Sequence, residues 1–324
     1  MERERKIGMI PVVFITDENF IMQTVVAMTS LYYSKKAKTE YDVYVVTADC
    51  AETAKRKFKR LEKKDMRVNI VEASLEEYRD IKQLAHIPIA CLLKFNICDL
   101  VSSYEKFIYL DGDICVRNDL SDLYDIDLGE CFAGGVPSLE MLSSDKRMIN
   151  AGIMLFNASK MRAEHMAERL VAERKKLGDR GSMDQQTFNM VLGDQILFLP
   201  PKFNCIADKF LGDEKRIFKL DKVNKLYGTG YASFKELVDD AVIIHFASGM
   251  KPWKFSFIPC ADEWYRAYKA SVYRNVELKR KNLLQARVTG MKNQLKKNGV
   301  KGFVKRLGEH IGYWAGKGKI KNWG

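Results

Sequence analysis

Hydrophobic positions along this chain fall into short runs separated by charged stretches of helical period. Residues 7–15 form a continuous apolar run closed by Thr16-Asp17, the pattern of a strand buried on both faces. Val25, Met28, Thr29 and Tyr32 recur at helical spacing and predict a helix over 21–33. Residues 41–47 predict a second strand, 52–64 a charged helix with Phe58 and Leu61 turned inward, and 67–71 a third strand. Strand and helix alternate, which predicts βαβ units on a mostly parallel sheet, an α/β fold. The pattern continues with a buried helix at 90–100, strands at 106–110 and 152–156, helices at 163–176 and 184–192, and strands at 195–199 and 241–246.

Charge changes the picture at one end only. The net charge is +12, and residues 279–324 alone hold thirteen Lys or Arg against the single acid Glu309, so the rest of the chain is neutral. A neutral body argues against a nucleic-acid surface spread over it, and no nucleic-acid partner is expected. Within the tail, Val300, Phe303, Val304, Leu307, Ile311 and Trp314 recur at helical spacing with Lys301, Lys305 and Arg306 between them. A basic amphipathic C-terminal helical tail of this kind is expected to lie on an anionic membrane surface; a helical hairpin packed on the body is the alternative. No apolar run reaches the roughly 20 residues of a membrane span, and the first residues do not read as a signal peptide. Seven cysteines without paired spacing point to reduced thiols rather than a zinc site. The expectation is a cytoplasmic protein held peripherally at the inner face of a membrane.

The strongest chemical feature is Asp111-Gly112-Asp113, directly after the strand at 106–110. Open parallel sheets bind ligands beyond the carboxyl ends of their strands. Glycine between the two acids is expected to let the chain turn so that both carboxylates meet one hard divalent cation. Taken alone, the tripeptide also reads as a polar turn. His245 closes the run 241–244 and precedes Ser248-Gly249-Met250-Lys251-Pro252-Trp253. It could complete a carboxylate metal site, with Lys251 placed as a point charge for phosphate. Asp17 and Asn19 follow the first strand, where a doubly wound fold reads a base or ribose, though both residues also form turns.

Together these places resemble glycosyltransferase family 8, the retaining enzymes that include bacterial lipopolysaccharide galactosyl- and glucosyltransferases and glycogenin. The resemblance runs from about residue 7 to 253. It is carried by Val13-Phe14-Ile15-Thr16-Asp17-Glu18-Asn19-Phe20, His86-Ile87-Pro88, Phe107-Ile108-Tyr109-Leu110-Asp111-Gly112-Asp113-Ile114, Asn150-Ala151-Gly152-Ile153-Met154-Leu155-Phe156-Asn157, Asp184-Gln185-Gln186, Leu199-Pro200-Pro201-Lys202-Phe203-Asn204, and His245 through Trp253.

The resemblance implies a nucleotide-binding fold of the glycosyltransferase A type over 1–272, with 273–324 as the membrane-associating tail. It implies that Asp111, Asp113 and His245 hold Mn²⁺, or Mg²⁺, against the diphosphate of a UDP-sugar donor. Ile15, Asp17 and Asn19 would lie at the base and ribose, Gly112 between the metal carboxylates, and Ser248, Gly249 and Lys251 at the phosphates. Asn150, Asp184 and Gln185 would surround the transferring sugar. The acceptor would be a saccharide or glycolipid, as in surface-polysaccharide synthesis. A neutral amide is a poor nucleophile, so attack by the acceptor on the same face of the sugar is favoured over a covalent bond to Gln185. Lys94 stands where the family has an arginine that reaches the donor; it keeps the charge and loses the fork. Residues 135–148 carry no clear equivalent of an acceptor-side acid, with Pro137, Ser138 and Glu140 in that region. The alternatives are a catalytically silent, membrane-attached nucleotide- or glycan-binding protein and a metal-dependent nucleotidyltransferase.

Overall fold

The computed structural model describes residues 8–286 except 49, 82–87, 145, 179, 181–182 and 213–217. The expected tail beyond 286, the start of the first apolar run at Ile7 and the His86-Ile87 pair lie outside the described residues.

Strands β1 (Ile10–Thr16), β2 (Tyr41–Thr47), β3 (Met66–Glu72) and β4 (Lys106–Leu110) run parallel in the order β3-β2-β1-β4. Each connection returns over a sheet face, by way of helix α1 (Ile21–Ser34) between β1 and β2 and α2 (Glu52–Lys59) between β2 and β3. All seven residues of β1 are buried, which explains why its sequence shows no polar alternation. Side chains still alternate: Val12 and Phe14 enter the core on the α1 side with Val25 and Met28. Val13 and Ile15 enter the opposite core with Phe95, Phe107, Phe156 and Phe188. Each fully buried side chain of this size contributes about 1.5–3 kcal/mol.

Beyond β4 the sheet continues through β7 (Ile149–Asn157), β6 (Ala133–Pro137) and β8 (Ile196–Phe198). β7 is antiparallel to both β4 and β6, and β6 is parallel to β8, so β7 alone opposes the general direction. A separate two-stranded ribbon pairs β5 (Ile114–Val116) antiparallel with β9 (Ile243–His245), with Ile114 opposite His245.

Three expected elements take a different form. The charged helix ends at Lys59 rather than 64, because Lys63 and Met66 exchange backbone hydrogen bonds in a tight reversal into β3. The helix expected at 163–176 runs from Met166 to Leu177, and a short helix not expected from sequence, Ala158–Ala163, precedes it, the two separated where His165 takes the left-handed conformation at φ 51°. The buried segment at 90–100 is a 3₁₀ turn, Ile89–Phe95, followed by the short helix Ile97–Leu100. The three-residue period of the 3₁₀ turn eclipses Cys91 and Lys94, and both face the same cleft.

After the helix Ala261–Ala270 the chain stays attached to the body. Ser256 N–H donates to Lys281 O at 3.1 Å, and Arg280 Nε donates to Pro252 O at 2.8 Å. Among the described residues no helix is long and apolar enough to cross a membrane.

Candidate active site

The parallel strands β1 and β4 end on the same edge of the sheet, so Asp17 and Asp111 emerge side by side. Because β7 runs the other way, its beginning, not its end, reaches that edge. Asn150, Ala151 and Gly152 thereby join the carboxyl ends of β1 and β4, and Asp111 N–H donates to Gly152 O at 2.8 Å. The β5–β9 ribbon brings His245 beside Asp113, with Phe246 N–H donating to Asp113 O at 2.9 Å. Two segments far apart in sequence are thus drawn together by one pair of short strands.

The result is a cluster in which one ligand atom each from Asp111, Asp113 and His245 lies within 4.8 Å of the others. His245 Nε2 stands 3.3 Å from Asp113 Oδ1 and 3.8 Å from Asp111 Oδ2. Two carboxylate oxygens and an imidazole nitrogen facing a common point suit Mn²⁺ or Mg²⁺ by donor type. Glycine is needed at two places for space. A Cβ on Gly152 would come within 2.2 Å of His245 Cε1, and one on Gly112 within 2.7 Å of Thr24 Oγ1. Gly112 does not have a positive φ, so its part is close approach to α1 rather than the special turn expected from sequence.

The cluster forms one wall of a cavity of about 360 Å³. Ile15, Asp17, Lys94, Asp111, Gly112, Asp113, Asn150, Asp184, Gln185 and His245 all line it. Asn19, Ser248, Gly249 and Lys251 do not. Asn19 N–H donates to Asp17 Oδ1 at 2.9 Å and Met250 N–H to Ser248 Oγ at 3.1 Å, so both pairs form turns at the rim. Lys251 nonetheless reaches in, donating to Asp113 Oδ2 at 2.7 Å and to Phe246 O at 2.6 Å.

The family model described as glycosyl transferase family 8 matches residues 11–256. This chain belongs to glycosyl transferase family 8. General stress protein A of Bacillus subtilis (strain 168) is 25% identical over 279 residues, covering 81% of this chain and 93% of that protein. The lipopolysaccharide glucosyltransferase WaaO of Escherichia coli (strain K12) is 22% identical over 315 residues, covering 90% and 87%. Other streptococcal glycosyltransferases match with the chain spanning 64% of their length or less. Among solved structures, the galactosyltransferase LgtC in complex with donor and acceptor sugar analogs superposes with a TM-score of 0.67 at 19% identity, covering 81% of this chain and 96% of that one. It shares the glycosyltransferase A type fold.

Within this family-8 site the electrostatics are set by two lysines. Burial pushes the Asp111 carboxyl above its ordinary range, an effect that Lys94 opposes and Asp113 reinforces. Asp111 keeps 31% of its side chain open to the cleft. Burial acts on Asp113 in the same direction, but His245 and Lys251 outweigh it and hold that carboxyl well below the usual range. One acid is therefore firmly ionised, and the other gains most from a further positive charge.

Lys94 is 2% exposed. Its ammonium donates to Asp184 Oδ2 and to Ala151 O at 3.0 Å, lies 3.5 Å from Asp111 Oδ1, and sits 4.4 Å above the Tyr109 ring. Burial alone would lower its pKa; Asp111 and Asp184 together raise it instead. All three N–H groups of this ammonium face protein atoms. Tyr109 Oη donates to Asp111 Oδ1 at 2.6 Å, completing the support of that carboxylate.

Sequence reasoning quoted Asn204 within a matching segment but assigned it no part. In the fold it is buried and its Oδ1 lies 2.9 Å from His245 Nδ1. The bridge between β9 and the segment that follows β8 brings it there, with Cys205 N–H donating to Ile243 O at 3.0 Å.

Proposed function

We propose that the chain is a retaining, metal-dependent glycosyltransferase that moves a hexose, galactose or glucose, from a UDP-sugar to a saccharide or glycolipid acceptor in surface-polysaccharide synthesis. The observation that carries this reading is the Asp111–Asp113–His245 cluster in the wall of a cavity also lined by Asn150, Asp184 and Gln185. A bound Mn²⁺ or Mg²⁺ would be held by those three side chains and would offset the charge that develops on the departing diphosphate.

The chain's own residues account for the rest. Asp17 and Ile15, at the end of β1, face the cavity where the nucleoside enters. Lys251, which donates to Asp113 Oδ2, would stand beside a bound diphosphate as a point charge for its oxygens. Asn150, Asp184 and Gln185 surround the sugar end. A second cavity of about 350 Å³ shares Asn150 and Gln185 with the first. Its walls include Ser138, Glu140, Phe210, Phe218 and Tyr227, a mixture of rings and polar groups suited to the two faces of a sugar. An acceptor there would meet the donor sugar beside Asn150 and Gln185, which both cavities share.

The test is UDP release from a panel of UDP-sugars with Mn²⁺, with and without EDTA. Metal-dependent release from one hexose donor, stimulated by a glycan acceptor, is the expected result. Release from no donor, with mixed acceptors present, would sink the transferase reading and favour a silent binding protein.

The basic tail is proposed to hold the enzyme at an anionic membrane, where a lipid-linked acceptor resides. Each Lys or Arg near such a surface adds about 1 kcal/mol. Co-sedimentation of the full chain with phosphatidylglycerol vesicles, weakened by salt and lost on deleting residues 287–324, is the expected outcome. Equal sedimentation with neutral phosphatidylcholine vesicles would count against it.

A further inference from the structure

One backbone N–H of β7 sets the direction of a chain of side-chain amides that crosses the site. Gly152 N–H donates to Asn150 Oδ1 at 3.1 Å. A backbone N–H can only donate, so this bond settles which end of the Asn150 amide is oxygen. Asn150 Nδ2 therefore donates to Gln185 Oε1 at 3.1 Å, and Ala151 N–H approaches the same oxygen at 3.4 Å. In the other direction, Asn204 Nδ2 donates to Asn150 Oδ1 at 2.9 Å. Asn204 Oδ1 is then left facing His245 Nδ1 at 2.9 Å, which requires the ring hydrogen on Nδ1. His245 Nε2 points at Asp111 and Asp113.

The two ends of this relay are the two halves of the chemistry. At one end is His245 Nε2, in the candidate metal cluster. At the other, Gln185 Oε1 is engaged by protein N–H groups, and no described residue takes its Nε2. Gln185 lines both cavities.

We propose that Asn204 is a positioning residue that fixes the His245 tautomer and, through Asn150, turns Gln185 so that its NH₂ rather than its carbonyl oxygen meets the substrates. The inference rests on the transferase reading for its second half only. Gln185 then gives a hydrogen bond and no electron pair. The bond from the anomeric carbon to the phosphate oxygen breaks, the bond to the acceptor oxygen forms on the same face, and the acceptor proton passes to the leaving phosphate. No covalent bond to the protein is formed.

Two variants of Asn204 separate its two connections. Asn204→Asp still accepts from His245 Nδ1 but has nothing to donate to Asn150. It is expected to bind Mn²⁺, measured by calorimetry without donor, within about threefold of the wild type, while kcat falls about 10–100-fold at little-changed donor KM. Asn204→Leu removes both connections and is expected to weaken Mn²⁺ binding about 10–100-fold as well. Unaltered Mn²⁺ affinity in Asn204→Leu, or wild-type kcat in Asn204→Asp, overturns the proposal.

Gln185→Glu keeps an accepting oxygen and puts a second oxygen in place of the NH₂. A fall in kcat of about 100-fold, with no sugar added to the protein mass on incubation with donor, is expected. Retained turnover, or a glycosylated protein, overturns it. Should the wild type turn over no UDP-sugar, the transferase reading fails while the Mn²⁺ titrations still decide the tautomer.

Discussion

Asp111→Asn and Asp113→Asn are each expected to lower turnover by about 10³-fold with the fold retained. Asparagine keeps the size of the side chain and one oxygen that can accept, so Tyr109 and Lys251 retain a partner for their hydrogen bonds. What is lost is the negative charge at the point shared with His245. The two substitutions are not equivalent in detail. Asp113 is held ionised by His245 and Lys251 against the effect of burial, so its charge is already matched within the protein. In Asp113→Asn a single uncharged carboxamide oxygen is left where Lys251 met one carboxylate oxygen and His245 the other. Asp111 is pushed up by burial and is the acid that gains most from a cation. Mn²⁺ titration should therefore show the larger loss of affinity in Asp111→Asn, and donor KM the larger rise in Asp113→Asn, where Lys251 loses its charged partner. Circular dichroism checks the fold. Turnover within about threefold of the wild type in either variant would remove the metal cluster from the mechanism.

The parts of this arrangement that were legible in the sequence share a physical cause. Strands buried on both faces write themselves as unbroken apolar runs, and β1, β2 and β4 were read within three residues of their observed ends. Asp111 and Asp113 could be placed because they follow such a run directly. β6, by contrast, reads Ala-Gly-Gly-Val-Pro and carries no strand signal. Its glycines answer to packing: a Cβ on Gly135 would come within 2.3 Å of Ile149 Cδ1, and one on Gly134 within 2.9 Å of Leu199 Cδ2. That demand is made by neighbours across the sheet and leaves no local pattern.

The same distinction divides the site. His245 could be suggested as a ligand from its place at the end of an apolar run and from resemblance to the family. Its partner in space, Ile114, belongs to a three-residue strand that no periodicity marks. Asn204 gave no signal of its own, because what it does depends on which groups the β9 pairing sets on either side of it. Asn19, Ser248 and Gly249 were singled out by the same resemblance, yet they stand at the rim. Short polar residues satisfy a turn and a ligand equally well, and sequence spacing does not separate the two.

Lys94→Met is expected to be the most damaging single change to stability in the site. The substitution preserves the length of the side chain and removes a cation that lies between Asp111 and Asp184 with 2% exposure. Breaking a buried ion pair by deleting one partner costs about 3–5 kcal/mol, because the other charge is left without compensation. For a chain of this size the corresponding fall in Tm is on the order of 10 °C. The sign of its pH dependence follows from Asp111. That carboxyl stands above its ordinary range even beside Lys94, and removing Lys94 raises it further. A carboxyl whose folded pKa exceeds its unfolded value binds more protons in the folded state, so stability falls as pH rises through that interval. The deficit of Lys94→Met should therefore be smaller at pH 5 than at pH 8, and Mn²⁺, by supplying positive charge at Asp111, should recover part of it at the higher pH. Thermal melts at the two pH values with and without the cation measure both effects. A deficit independent of pH and cation would mean that Lys94 acts through packing against Tyr109 rather than through its charge. Lys94→Arg keeps the charge, but its planar fork must be fitted where an ammonium meets Ala151 O, Asp184 and Asp111 from three directions. The chain has matched a compact cation to a compact set of acceptors.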